Sequence, residues 1–157
     1  MVDKGRQYAG EIAYSTKPVL DVYQKILFGD YVEYNGVRGI NSTEIPVLIA
    51  HGVDDTVITL EGQSILAHQA EIKNPNVTVY YAFGAQGTHT DILRSTAAVE
   101  YGKRIEGQIK LLEMEKGREL TTEEKVDFYK TVDHCLYSEV NGELLTLALQ
   151  TIEKGFH

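Results

Sequence analysis

Residues 45–50, Ile-Pro-Val-Leu-Ile-Ala, form a short run that is almost wholly apolar and rich in β-branched side chains, with His51-Gly52 directly behind it. Such a run fits a parallel strand covered on both faces. Pro46 stands near its start, where a missing donor does least harm. A second run, Val77 to Phe83 (VTVYYAF), has the same character. Between them, residues 60–73 (LEGQSILAHQAEIK) read as a helix, stopped by the turn residues Asn74-Pro75-Asn76. Strand, helix and strand in this order, joined by a right-handed crossover, make a βαβ unit of a parallel sheet. The chain is therefore expected to be α/β.

The flanks read as helix. Residues 6–28 place Ile12, Val19, Val22, Tyr23, Ile26 and Leu27 at three- and four-residue spacings around Pro18, giving one or two short helices. Residues 29–43 carry turn residues without a sustained period and read as loop with one further helical turn. After the second strand three helices are expected. The first spans 91–116 and is closed by Gly117; the second, 122–136, is opened by a capping box at Thr121-x-x-Glu124; the third, 139–154, is closed by Gly155. Val126, Tyr129, Val132, Leu144, Leu145, Ala148 and Ile152 supply their buried faces.

Composition narrows the function classes. A chain of 157 residues with 43% hydrophobic side chains has the size and apolar content of one packed domain. A net charge of −8 and no basic cluster argue against nucleic acid as a partner. No apolar run reaches the roughly 20 residues of a membrane span, and MVDKGRQYAG has no apolar signal core. The single cysteine, Cys135, fits a reducing compartment and points to the cytoplasm, with its thiol buried in a helix. His68, His134 and His157 lack ligand spacing, so no metal is expected, and no cofactor motif is present. Gly84-x-x-Gly87 is too short for a dinucleotide fingerprint.

Chemistry concentrates where the strands end. Residues just beyond the carboxyl ends of neighbouring parallel strands converge on one crevice. Asp55 follows the first strand in His51-Gly52-Val53-Asp54-Asp55, and His89 follows the second in Gly84-Ala-Gln-Gly87-Thr88-His89. A carboxylate bonded to one imidazole nitrogen fixes the tautomer, so that the other nitrogen serves as a general base near neutral pH. Taken singly, Asp55 reads equally as a turn acid capping the next helix, and His89 as a surface residue. Asp54 is expected to face solvent or cap the turn, and His51 to pack beside the strand end. Tyr31, Tyr34, Tyr80 and Tyr81 are candidates to line a pocket, though most tyrosines simply pack.

A hydrophobic strand ending in His-Gly-x-x-Asp, with a histidine loop after one further helix and strand, resembles the C-terminal part of the α/β-hydrolase superfamily. The order of acid before histidine is that of the family. The resemblance covers roughly residues 30–100 and implies that Asp55 is the acid and His89 the histidine of a catalytic triad. It departs from the family in one respect. The nucleophile elbow Gly-x-Ser-x-Gly does not occur, and none of Ser15, Ser42, Ser64, Ser95 and Ser138 has both flanking glycines. The resemblance thus implies a partial domain: 1–44 as cap-region or late helices and loop, 45–100 as the last two strands with the acid and histidine loops, and 101–157 as a helical extension it does not account for.

The function implied is that of the C-terminal fragment of a serine hydrolase acting on a small-molecule ester through an acyl-enzyme, inactive alone because the serine lies upstream. The alternative is a non-catalytic binding or oligomerisation module that keeps the scaffold. With only two strands, an unpaired apolar edge is left, and a homo-oligomer through that edge is expected.

Overall fold

The computed structural model describes residues 15–156 apart from Gln63. Two strands, β1 (Val47–Gly52) and β2 (Val77–Ala82), pair in parallel with Val47 opposite Val77 and Gly52 opposite Ala82. Around them stand six α-helices among the described residues: α1 (Lys17–Phe28), α2 (Gly36–Asn41), α3 (Thr96–Lys116), α4 (Thr122–Tyr129), α5 (His134–Tyr137) and α6 (Gly142–Lys154). The fold is mixed α/β with a two-stranded parallel sheet. No helix of the described residues is long and apolar enough to cross a membrane.

The first strand starts two residues later than expected and takes in His51 and Gly52. Asn74 is the reason at its start. This buried side chain donates to the Ile45 and Ile40 carbonyls, and the ladder begins only with the Val47 N–H on Asn76 O at 3.1 Å. Asn41 clamps the same corner from α2, donating to Glu71 O and accepting from the Lys73 N–H.

The crossover corrects the expected helix over 60–73. It is a 3₁₀ segment, Ile65–Glu71, capped by Ser64 and kinked at His68. Only one buried side chain, Leu66, holds it, which is too little to fix a full α-helix; Tyr81 adds a hydrogen bond from its hydroxyl to Gln69. The main core lies where Tyr80 and Ala82 of β2 and Leu144 of α6 meet Leu48, Ile92 and Leu147.

Beyond β2, the helix starts that differ from expectation are each set by a side-chain cap. α3 begins at Thr96 because Ser95 accepts the Ala98 N–H, and it ends at Gly117, whose φ of 63° is readily adopted only without a Cβ. The expected helix over 122–136 is broken in two. Its capping box at Thr121 and Glu124 is present, but the chain leaves the helix after Tyr129 and restarts at Asp133, which caps Leu136 and donates its own N–H to the Tyr101 hydroxyl. Asn141 caps α6 in the same way.

Several expected burials are not found. Val132 and Leu144 are buried, but Val126, Tyr129, Leu145 and Ile152 are exposed, because two strands cover too little apolar surface to occupy every helix face. α1 has no buried residue at all, and Ile12 lies outside the described residues. Cys135 is exposed, which corrects the buried thiol expected for it: this short helix turns Leu136 and Tyr137, not Cys135, toward the rest of the chain.

Candidate active site

The ends of β1 and β2 are tied together by backbone. Beyond the ladder, Val53 N–H donates to Ala82 O at 3.0 Å and Asp54 N–H to Gly87 O at 2.9 Å. This approach needs glycine at position 52. A Cβ there would meet Gly87 O at 2.3 Å and Thr88 O at 2.7 Å, so the acid loop touches the histidine loop backbone to backbone. Gly87 is confined from the other side, its Cβ position lying 2.8 Å from Asp54 Oδ2. Both glycines stand beside the expected site in sequence, but only the packing assigns them their part.

Across this seam His89 Nδ1 lies 2.8 Å from Asp55 Oδ2. Asp55 Oδ1 accepts the N–H groups of Val57 at 2.8 Å and Ile58 at 2.9 Å. The turn-capping role and the histidine-orienting role expected as alternatives are thus divided between the two oxygens of one carboxylate. Asp55 is 7% exposed, whereas the His89 side chain is 42% exposed. Burial, the largest single influence on the Asp55 carboxyl, pushes its pKa up. The hydrogen bond from His89, the N–H groups of Ile58 and Val57, and the charge of His89 together outweigh burial and hold it below the ordinary aspartate value. A carboxylate only accepts, so His89 Nδ1 carries the proton and Nε2 is the basic nitrogen of the neutral ring. Nε2 makes no hydrogen bond to the described residues.

Asp55 and His89 line an open cavity of about 330 Å³ with Ile49, Ile58, Ile65 and Ile92. The wall beside the dyad is therefore mostly aliphatic. His51 also lines it, and its Nε2 is buried without a hydrogen-bond partner among the described residues. Asp54 is exposed, as expected of it. None of the four candidate tyrosines lines this cavity: Tyr31 and Tyr34 stack on each other at the surface, and Tyr80 is buried in the core.

Ser64 shares the cavity wall and is 3% exposed. Its hydroxyl oxygen accepts the Leu66 N–H at 3.1 Å, and its backbone is ordinary extended chain at φ −64°, ψ 144°. A nucleophile elbow holds its serine on a strained turn. Among the described residues only Gly29, Gly84 and Gly117 have positive φ, so none of the described serines sits on such a turn. No group of three or more His, Cys, Asp or Glu among the described residues could hold a metal ion, and His68 is instead paired with Glu71 at 2.8 Å.

Comparison with protein-family models, curated proteins and solved structures finds no match to this chain.

Proposed function

We propose that this chain carries the acid and the general base of a serine hydrolase of the α/β-hydrolase type, acting on an ester through an acyl-enzyme. One observation carries the reading. A buried carboxylate has one oxygen fixed by two backbone N–H groups and the other aimed at an exposed imidazole 2.8 Å away, with an aliphatic cavity beside them. A carboxylate that orients an exposed imidazole beside a cavity is the arrangement an acid–base site requires.

In this reading His89 Nε2 takes the proton of a serine hydroxyl as the serine oxygen attacks the ester carbonyl carbon. Asp55 keeps the ring in the tautomer that can accept, and stabilises the imidazolium that results. The imidazolium returns the proton to the leaving alcohol, leaving an acyl-serine. Water then enters and loses a proton to the same nitrogen as its oxygen attacks the acyl carbon; the bond to the serine oxygen breaks, that oxygen takes the proton back from the imidazolium, and the acid is released. No described serine has the elbow's geometry, so in this reading the nucleophile is a serine outside the described residues.

Turnover of a p-nitrophenyl acyl ester by the full-length gene product tests this. Hydrolysis that disappears in His89→Ala supports it. A gene product with no serine in a Gly-x-Ser-x-Gly setting, or one in which His89→Ala hydrolyses as fast as wild type, sinks it.

The edge of β1 favours a second reading, a module that associates through its sheet. The Val47 and Val53 N–H groups both point to β2, so the intervening even-numbered residues Leu48 and Ala50 turn their backbone groups to the outer edge, where no strand pairs among the described residues. Such an edge is a template for pairing. Light scattering after size exclusion distinguishes the readings: a monomer at every concentration excludes the second.

A further inference from the structure

The helical extension beyond residue 100 is left without a role by the resemblance, and its contacts converge on the histidine loop. We propose that Arg94 and Asn141 are positioning residues for His89, through which the α5–α6 region latches the loop that carries the base. This rests on the reading of Asp55 and His89 as a working acid–base pair.

His89 lies on an irregular connection between β2 and α3, made of two single 3₁₀ turns, Gly84–Gln86 and Asp91–Leu93. No ladder holds such a segment, and its imidazole is too exposed to be fixed by burial. Beyond the acid-loop contacts at Gly87 and His89, hydrogen bonds from a distant part of the chain hold the segment. The Arg94 guanidinium lies over the Tyr137 ring, 4.9 Å from its centroid. Its Nη2 donates to Ala98 O at 2.8 Å and to Tyr137 O at 3.0 Å, while Nη1 reaches Asp91 Oδ1 at 3.4 Å. The other Asp91 oxygen accepts the Thr88 hydroxyl at 2.7 Å. Thr88 is the residue before His89. A continuous chain of hydrogen bonds therefore runs from α5, through Arg94 and Asp91, to the neighbour of the base.

Asn141 makes a second anchor. Its side-chain amide donates to Ile92 O at 3.1 Å and to the Tyr80 hydroxyl at 3.0 Å, and its N–H donates to Leu93 O at 2.9 Å. Its oxygen caps α6 at Leu144. One buried residue thus joins the second 3₁₀ turn of the loop, strand β2 and the last helix. Between the two anchors, Ser95 N–H donates to Glu139 O and Arg94 pairs with Val140 as an antiparallel bridge.

The fit around Arg94 is close. A Cβ on Gly102 would stand 2.9 Å from Nη2 and 3.2 Å from Nη1. A planar fork with five donors can serve the two carbonyls and the carboxylate together, which the single ammonium of lysine cannot.

Proton NMR of the intact chain tests the latch without any substrate. The Nδ1 proton of His89, held by Asp55, should give a low-field resonance that is absent from His89→Gln and from Asp55→Ala. In Arg94→Met and Asn141→Ala that proton should exchange with water about tenfold faster or more, the order expected when a hydrogen bond to a charged group is lost. Circular dichroism checks that the variants are folded. Should they fail to fold, Gly102→Ala displaces the guanidinium without removing it, and is expected to move exchange in the same direction by less. Wild-type exchange in folded Arg94→Met or in Gly102→Ala overturns the latch, as does a wild-type chain that lacks the resonance. The hydrolase reading is judged separately by ester turnover: no turnover with a responsive resonance sinks the hydrolase and keeps the latch, and turnover with an indifferent resonance does the reverse.

Discussion

The loop that carries His89 has few apolar contacts and many polar ones, whereas helix α1 has a regular apolar stripe and buries none of it. Val19, Val22, Tyr23, Ile26 and Leu27 are each more than half exposed. By hydrophobic periodicity α1 should be the better-anchored element. It is the loop that is held, by Asp54 from the acid loop, by Asp91 and Arg94 within it, and by Asn141 from about 50 residues further on. Periodicity describes what a segment can bury, and burial also needs a complementary surface. Organisation in this molecule follows the polar groups around the dyad.

The widest test of that contrast is chemical. If His89 is the base of a hydrolase, His89→Ala in the full-length gene product should reduce ester turnover by about 10⁶-fold, the order seen when a triad loses its histidine. A small loss would remove the reason for so elaborate a hold on the loop. Steady-state kinetics with a chromogenic ester measure it.

Gly52→Ala should be the most destabilising of the small substitutions. Its methyl group would meet backbone, which cannot rotate away, at 2.3 Å. A loss of about 3 kcal/mol, at the upper end for overpacking, is expected in urea denaturation. Asn141→Ala should come next with about 2 kcal/mol, since it removes a cap and leaves the buried Tyr80 hydroxyl short of a partner. A neutral result at Asn141 would mean that the loop holds itself.

Acid should loosen the same region. The native Asp55 carboxyl lies below its ordinary value, so its contribution is complete above the unfolded aspartate pKa of about 3.9 and is lost as pH falls toward the lower native value. Glu124 acts in the same direction at the α3–α4 junction, where hydrogen bonds from Arg118 and Lys116 depress its pKa. Its carboxylate lies at the surface, where solvent screens that contribution heavily. Unfolding midpoints should therefore be flat from neutral pH down to about 5 and then fall. Asp55→Asn should flatten the acid limb more than Glu124→Gln.

The smallest effect is expected on α1. Ile26→Lys should change stability by less than about 0.5 kcal/mol, because the side chain is 76% exposed. A larger loss would show that α1 is covered in solution, and light scattering would then identify a second copy as the cover.

How much of this is legible in the sequence differs by kind of interaction. The two strands, their parallel pairing and the juxtaposition of Asp55 with His89 follow from runs of apolar residues and from what parallel strand ends must do. The capping box at Thr121 and the stop at Gly117 are legible because each is settled within a few residues. The crossover reads as an α-helix because Leu66, Gln69 and their neighbours have acceptable helix propensity, and only thin packing, with Leu66 alone buried, restricts the segment to 3₁₀ turns. Arg94 and Asn141 give no local signal. An arginine after a turn and an asparagine before a helix are ordinary, and the partners that distinguish them, Tyr137 for one and Ile92 for the other, lie more than 40 residues away.

By itself the sequence determined an α/β chain with two parallel strands and an acid–histidine pair at their carboxyl ends, because strand period and crossover handedness are local or nearly local matters. The tertiary structure decided how closely the two loops approach, which apolar faces find a partner, and that the C-terminal helices hold the histidine loop. Those outcomes depend on backbone contacts and hydrogen bonds between segments far apart in the chain, and no window of sequence contains both ends of such an interaction.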